Sequence, residues 1–170
     1  VSEQFTIPAS THMTERITLV HELLDEIEGF TSRADLKVAE VSDWSVGQQI
    51  DHVLKATSTF TILLLRNRPA DGTGTQRQLK EKLLQKGSFP RGLVQAPDVT
   101  RPDAEPSEES LKRQIRKCRN RIARLSEVSE ESVADHPYLG EMQRDEVIAF
   151  LAIHLRHHLS IIRDIVEVTE

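Results

Sequence analysis

The sequence predicts an all-α protein: a four-helix bundle with a long, loop-rich connection between the second and third helices. Three observations predict it. Four segments repeat apolar residues at the three- and four-residue spacing of a single helical face. No stretch sustains the alternation of a strand, so no sheet is expected. The chain has 170 residues, the length of one domain with a full core. Residues 1–170 therefore read as a single domain. Aromatic residues are scarce (Trp44, Tyr138 and five Phe), so the core must be aliphatic.

The first helix is predicted from about Thr14 to Phe30. Ile17, Val20, Leu24 and Ile27 share one face, and Gly29 fits a helix stop. The second runs from about Val46 to Arg66, with Val46, Ile50, Val53, Thr57, Phe60 and Leu64 as its stripe. Ser45 and Gln48 fit a capping box. The third runs from about Glu108 to Leu125 behind the N-cap Ser107, with Leu111, Ile115, Cys118, Ile122 and Leu125 inward. The fourth runs from about Arg144 to Val168 on Val147, Leu151, Leu155, Ile162 and Ile165. Residues 67–107 hold five of the seven prolines and four of the seven glycines, so they read as loop with a short helix over Gln76–Gln85. A connection this long often carries function.

Composition excludes several classes. A single cysteine, Cys118, makes neither an intramolecular disulfide nor a cysteine-rich zinc site. The longest apolar run, Ile62 to Leu65, is far short of a membrane span. The first residues lack the basic start and apolar block of a signal peptide, so a cytoplasmic location is expected. A net charge of −5 does not suit broad nucleic-acid binding.

Seven histidines stand against that one cysteine, and four of them lie in the last 35 residues. His154 and His158 are four apart on the last helix, about 40° apart around its axis. Such a pair supplies two nitrogen ligands to one metal ion. Two partly buried histidines bonded to their neighbours would have the same spacing. His157 points away from His158 by about 100°, which favours solvent. His52 lies on the flank of its helix's stripe, a position that by itself reads as a surface-edge histidine. His12 and His21 read as incidental. Cys118 falls on an apolar stripe and reads as a core thiol, not a nucleophile. Asp51 points to another face than His52 and reads as solvated.

Three segments carry a resemblance. Trp44-Ser45-Val46-Gly47-Gln48-Gln49-Ile50-Asp51-His52 resembles the second-helix signature of the DinB/YfiT-like family. His136-Pro137-Tyr138-Leu139-Gly140 resembles that family's H-P-x-x-G turn, and His154-Leu155-Arg156-His157-His158 its H-x-x-H-H element. The three occur in family order between residues 44 and 162. The resemblance implies a four-helix bundle with one divalent metal held by His52, His154 and His158. It also implies, for some members, transfer or isomerisation with low-molecular-weight thiols. The family often has Gln three residues after the last histidine; this chain has Ile161 there.

Three neutral imidazoles would leave a divalent ion an open position, as catalytic sites do. Imidazole suits zinc, nickel, copper and iron, with zinc or nickel expected first. A metal lowers the pKa of a bound water or thiol. The expectation is a small bacterial metalloenzyme, most directly a thiol-dependent transferase or isomerase acting on a small molecule. A metal-dependent hydrolase, or a metal-binding bundle without turnover, is the alternative. His136 is a candidate helper, as acid/base or substrate ligand, against the reading of a helix-entry histidine set by Pro137. Tyr138 is a candidate donor or a packing residue. An exposed helix face leaves room for a homodimer. The third helix carries seven positive charges between Lys112 and Arg124. Without aromatic interleaving, they read as a solvated face and not as a nucleic-acid site.

Overall fold

The described residues, 13–72, 77–92 and 95–170, of a computed structural model hold five α-helices, three short 3-10 turns and one short hairpin, joined by loops. The helices are α1 (Met13–Glu28), α2 (Val46–Leu65), α3 (Arg77–Lys86), α4 (Glu108–Ala123) and α5 (Arg144–Thr169). All four predicted long helices are present within two residues of their expected ends. The predicted short helix is α3; Gln76 lies outside the described residues. α1 packs on α4 and α5, and α2 packs on the same two helices. Their facing stripes supply the aliphatic core, including Leu24, Ile27, Ile50, Leu111, Ile115 and Ile162, each at most 1% exposed. Each such side chain contributes about 1.5–3 kcal/mol by burial.

α2 starts where its orphan N–H groups find partners. Gln48 N–H donates to Ser45 Oγ (3.2 Å), and Ser45 N–H donates back to Gln48 Oε1 (3.0 Å). Val46 and Gly47 N–H donate to the Leu36 and Ala34 carbonyls, each at 2.8 Å. A Cβ on Gly47 would lie 2.8 Å from the Ala34 carbonyl oxygen, so only glycine permits this approach. The first turn of α2 is thereby seated on the preceding loop, which sets the helix less than two turns before His52. At α4, Ser110 N–H donates to Ser107 Oγ (3.2 Å), the cap that the sequence predicts.

The expectation of no sheet is corrected. β1 (Val133–His136) and β2 (Gly140–Gln143) form an antiparallel hairpin, with His136 opposite Gly140. Pro137, Tyr138 and Leu139 make the loop, and Gly140 has φ +71°, the left-handed residue that closes a three-residue hairpin. Four-residue strands are too short to show alternation. The hairpin leads directly into α5 and hands His136 toward α2 and α5. The connection between α2 and α4 folds back over the same end. α3 packs on α5, and Lys80 Nζ donates to Glu146 (2.8 Å) and to the Glu141 carbonyl (3.0 Å). No helix among the described residues is long and apolar enough to cross a membrane.

Candidate metal centre

α5 carries His154 and His158 one turn apart, and α2 brings His52 to them from the opposite side. One ring nitrogen from each lies within 4.8 Å of the others. Ring centroids are 5.2 Å apart for His52–His154 and 4.7 Å for both His52–His158 and His154–His158. His52 and His158 are each 6% exposed.

Hydrogen bonds fix which nitrogens are available. His52 Nδ1 lies 2.7 Å from the Thr100 carbonyl oxygen. A carbonyl only accepts, so Nδ1 carries the proton and Nε2 keeps a lone pair. His158 Nδ1 lies 2.5 Å from Gln49 Oε1. The Gln49 amide is itself oriented, because its Nε2 donates to Ser42 Oγ at 2.8 Å. His158 therefore donates from Nδ1 and also keeps a lone pair on Nε2, which faces His154 Nε2 at 3.1 Å. His154 Nδ1 is buried without a hydrogen-bond partner among the described residues. Whichever nitrogen of His154 holds its proton, one polar atom of the cluster stays unpaired inside the protein, an unusual cost for a fold to carry.

The electrostatics keep these rings neutral. Burial, and then the neighbouring histidines, hold His154 and His158 well below the ordinary histidine range. Burial also lowers His52, against the opposing pull of the Thr100 carbonyl. Three neutral imidazoles, two of them (His52 and His158) fixed by a partner on the far nitrogen so that Nε2 keeps its lone pair, are a donor set that suits a divalent ion. The cluster can hold a metal ion.

The histidines line a cavity of about 370 Å³, and the hairpin and the α2–α4 connection form its other walls. Trp44 stands beside His52 with ring centroids 5.1 Å apart. His136 also lines the cavity, stacked on Phe60 with 5.2 Å between centroids and 7° between planes. Burial pushes its pKa down to about 4. It is not a member of the three-histidine group. Tyr138 is exposed at the cavity mouth.

Other expectations divide. Cys118 is buried in the core, and burial pushes its thiol up to about 12, as a core thiol should behave. His21 is outside the cluster, and His12 lies outside the described residues. His157 is not turned to solvent. It lines the cavity, packs on Phe89 and His158, and burial pushes it down to about 4. Asp51 is fully buried, contrary to the solvated reading. Its carboxylate accepts from Gln114 Nε2 (2.7 Å), Asp103 N–H (2.8 Å) and Lys55 Nζ (2.8 Å). Ile161, at the position where the family often has glutamine, is buried core; Gln49 on α2 bonds the last histidine instead. Neither Gln49 nor Thr100 stands out in the sequence, although Gln49 is one turn before His52. On α4, Lys112 and Arg113 pair with Glu108 and Glu109. Arg119 bridges to Asp25 and Glu28 on α1, and Arg121 donates to Ser58.

Comparison with known proteins bears on this arrangement. The family model of the DinB superfamily matches residues 12–162. The chain is 26% identical over 154 residues to YuaE, an uncharacterised protein of Bacillus subtilis (strain 168), covering 88% of this chain and 93% of YuaE. No solved structure matches. The family match takes in the α2 segment, the hairpin and both α5 histidines, and the chain belongs to the DinB superfamily.

Proposed function

We propose that His52, His154 and His158 hold one divalent ion, zinc or nickel, in a four-helix bundle that forms a single domain over residues 1–170. The protein then acts as a metalloenzyme that activates a thiol or a water against a small molecule. Thiol-dependent transfer or isomerisation with a low-molecular-weight thiol is the reaction favoured, in a cytoplasmic setting. The observation that carries this reading is the convergence of three neutral ring nitrogens in the wall of an apolar cavity that opens to the surface. A divalent ion bound there supplies a positive charge that lowers the pKa of a thiol or water beside it.

The chain's own residues do the rest. Thr100 and Gln49 hold the Nδ1 protons of His52 and His158, so both Nε2 lone pairs stay directed inward. The apolar walls exclude water and strengthen electrostatic interactions inside. His136 stands in the same wall, where a neutral imidazole can exchange a proton or bind a substrate atom.

Elemental analysis of protein purified without a metal-affinity tag tests the site; the expected result is one ion per chain. Assays of the metal-bearing protein with several low-molecular-weight thiols test the reaction. Metal without turnover identifies a binding protein. No metal after titration with zinc or nickel, at unchanged circular dichroism, overturns the reading.

A further inference from the structure

The cavity beside the histidines is apolar out to its mouth. Phe60, Leu83, Phe89, Leu139 and Phe150 contribute to its walls. Leu79, Val99 and Tyr138 line its opening while remaining 49%, 73% and 44% exposed. These side chains continue the apolar wall to the rim, as in a ligand-binding groove. No lysine or arginine lines the cavity among the described residues. Its one carboxylate, Asp135, pairs with Arg68 at 2.6 Å. Arg91, on the adjoining stretch, turns to Asp164 and Ser160 instead. An anionic ligand would lose its hydration here, and no cationic side chain of the lining would offset the loss.

One polar group of the wall is committed on one side and available on the other. His136 Nδ1 accepts from the N–H groups of Tyr138 (3.1 Å) and Leu139 (3.2 Å). Nδ1 is therefore an acceptor, and the ring proton sits on Nε2. No acceptor for that Nε2–H is found among the described residues. Stacking on Phe60 and edge contact with Phe150 hold the ring plane, so the direction of the donor is set before a ligand arrives.

We propose that the cavity takes an uncharged, largely apolar small molecule carrying a hydrogen-bond acceptor, with His136 Nε2–H as the donor that orients it beside the three histidines. This names the substrate class of the proposed metal site; binding itself does not depend on that reading, and only the chemical step after binding rests on it. A volume of about 370 Å³ lies within the usual range for small-molecule sites.

Calorimetric titration of the purified protein with methyl ketones from butanone to octanone tests it, repeated after chelation. Quenching of Trp44, the single tryptophan and a cavity residue, gives a second readout. Affinity should rise about fourfold per added methylene until the cavity is filled. After chelation, each ketone should bind more tightly than the carboxylate of equal length. The affinity for a ketone relative to the matching alkane should fall about fivefold in His136→Phe, while the chain-length dependence is kept. Affinity independent of chain length, a carboxylate that binds more tightly to the chelated protein, or a ketone-to-alkane ratio unchanged in His136→Phe overturns the proposal. Metal content, measured separately, reports on the metal reading alone.

Discussion

Asp51 and His52 are neighbours on α2, both are buried, and both reach the same stretch of the α2–α4 connection. Asp51 accepts from Asp103 N–H, while His52 donates to the Thr100 carbonyl. Around Asp51 every bond is made: Gln114, Lys55 and the Asp103 backbone all donate to one carboxylate. Around His52 that is not so. Two lone pairs point inward, and His154 Nδ1 has no partner among the described residues. A satisfied buried polar cluster fixes a structure, whereas one with lone pairs left free can take a ligand. The two clusters meet on residues 100–103, so the structural one holds the chemical one in place.

Acid should break the histidine side first, with the largest effect. His52, His136, His154, His157 and His158 all have folded pKa values below the ordinary 6.5. Unfolded histidines bind protons that the folded ones refuse, so stability is at its plateau above pH 6.5. It falls as pH drops toward about 4 for His136 and His157. Urea denaturation of metal-free protein across that window should show the decline, and His136→Phe should flatten its slope.

Asp51→Ala breaks the other side. Buried donors on Gln114 and Asp103 lose their acceptor, which should cost about 3 kcal/mol in thermal or chemical denaturation. Asp51→Asn, which keeps an acceptor, should cost about half as much. Asp51→Ala should also weaken zinc binding, because it releases the Asp103 N–H three residues from the Thr100 carbonyl that holds His52.

Much of this contrast was not legible in the sequence. Periodicity located the helices because Leu24, Ile50, Ile115 and Ile162 recur on the faces that became buried. The His154/His158 pair was visible because helical spacing is rigid. His52 was visible only through family resemblance, since a flank position does not say which neighbour it meets. Thr100 and Asp103 contribute main-chain atoms, and no residue type announces those. Asp51 read as solvated because its partners come from a loop and from another helix. The hairpin is not legible because its strands are four residues long, although Pro137 and Gly140 mark its turn.

Gln49→Leu sharpens the comparison from the chemical side. It releases the His158 tautomer and should lower zinc affinity by about ten- to a hundredfold, read by competition with a chromophoric chelator. The smallest effect is expected from His154→Phe in metal-free protein. Removing an unpaired buried nitrogen should leave stability within about 1 kcal/mol of wild type, while zinc binding is lost.

The central claim is that a histidine about a hundred residues upstream completes the α5 pair into one site. Calorimetric zinc titration of tag-free, metal-stripped protein tests it most directly, with wild type and His52→Ala compared at matched circular dichroism. One ion should bind per wild-type chain, and the affinity should be at least about a hundredfold weaker in the variant. Equal affinity in the two proteins would contradict it.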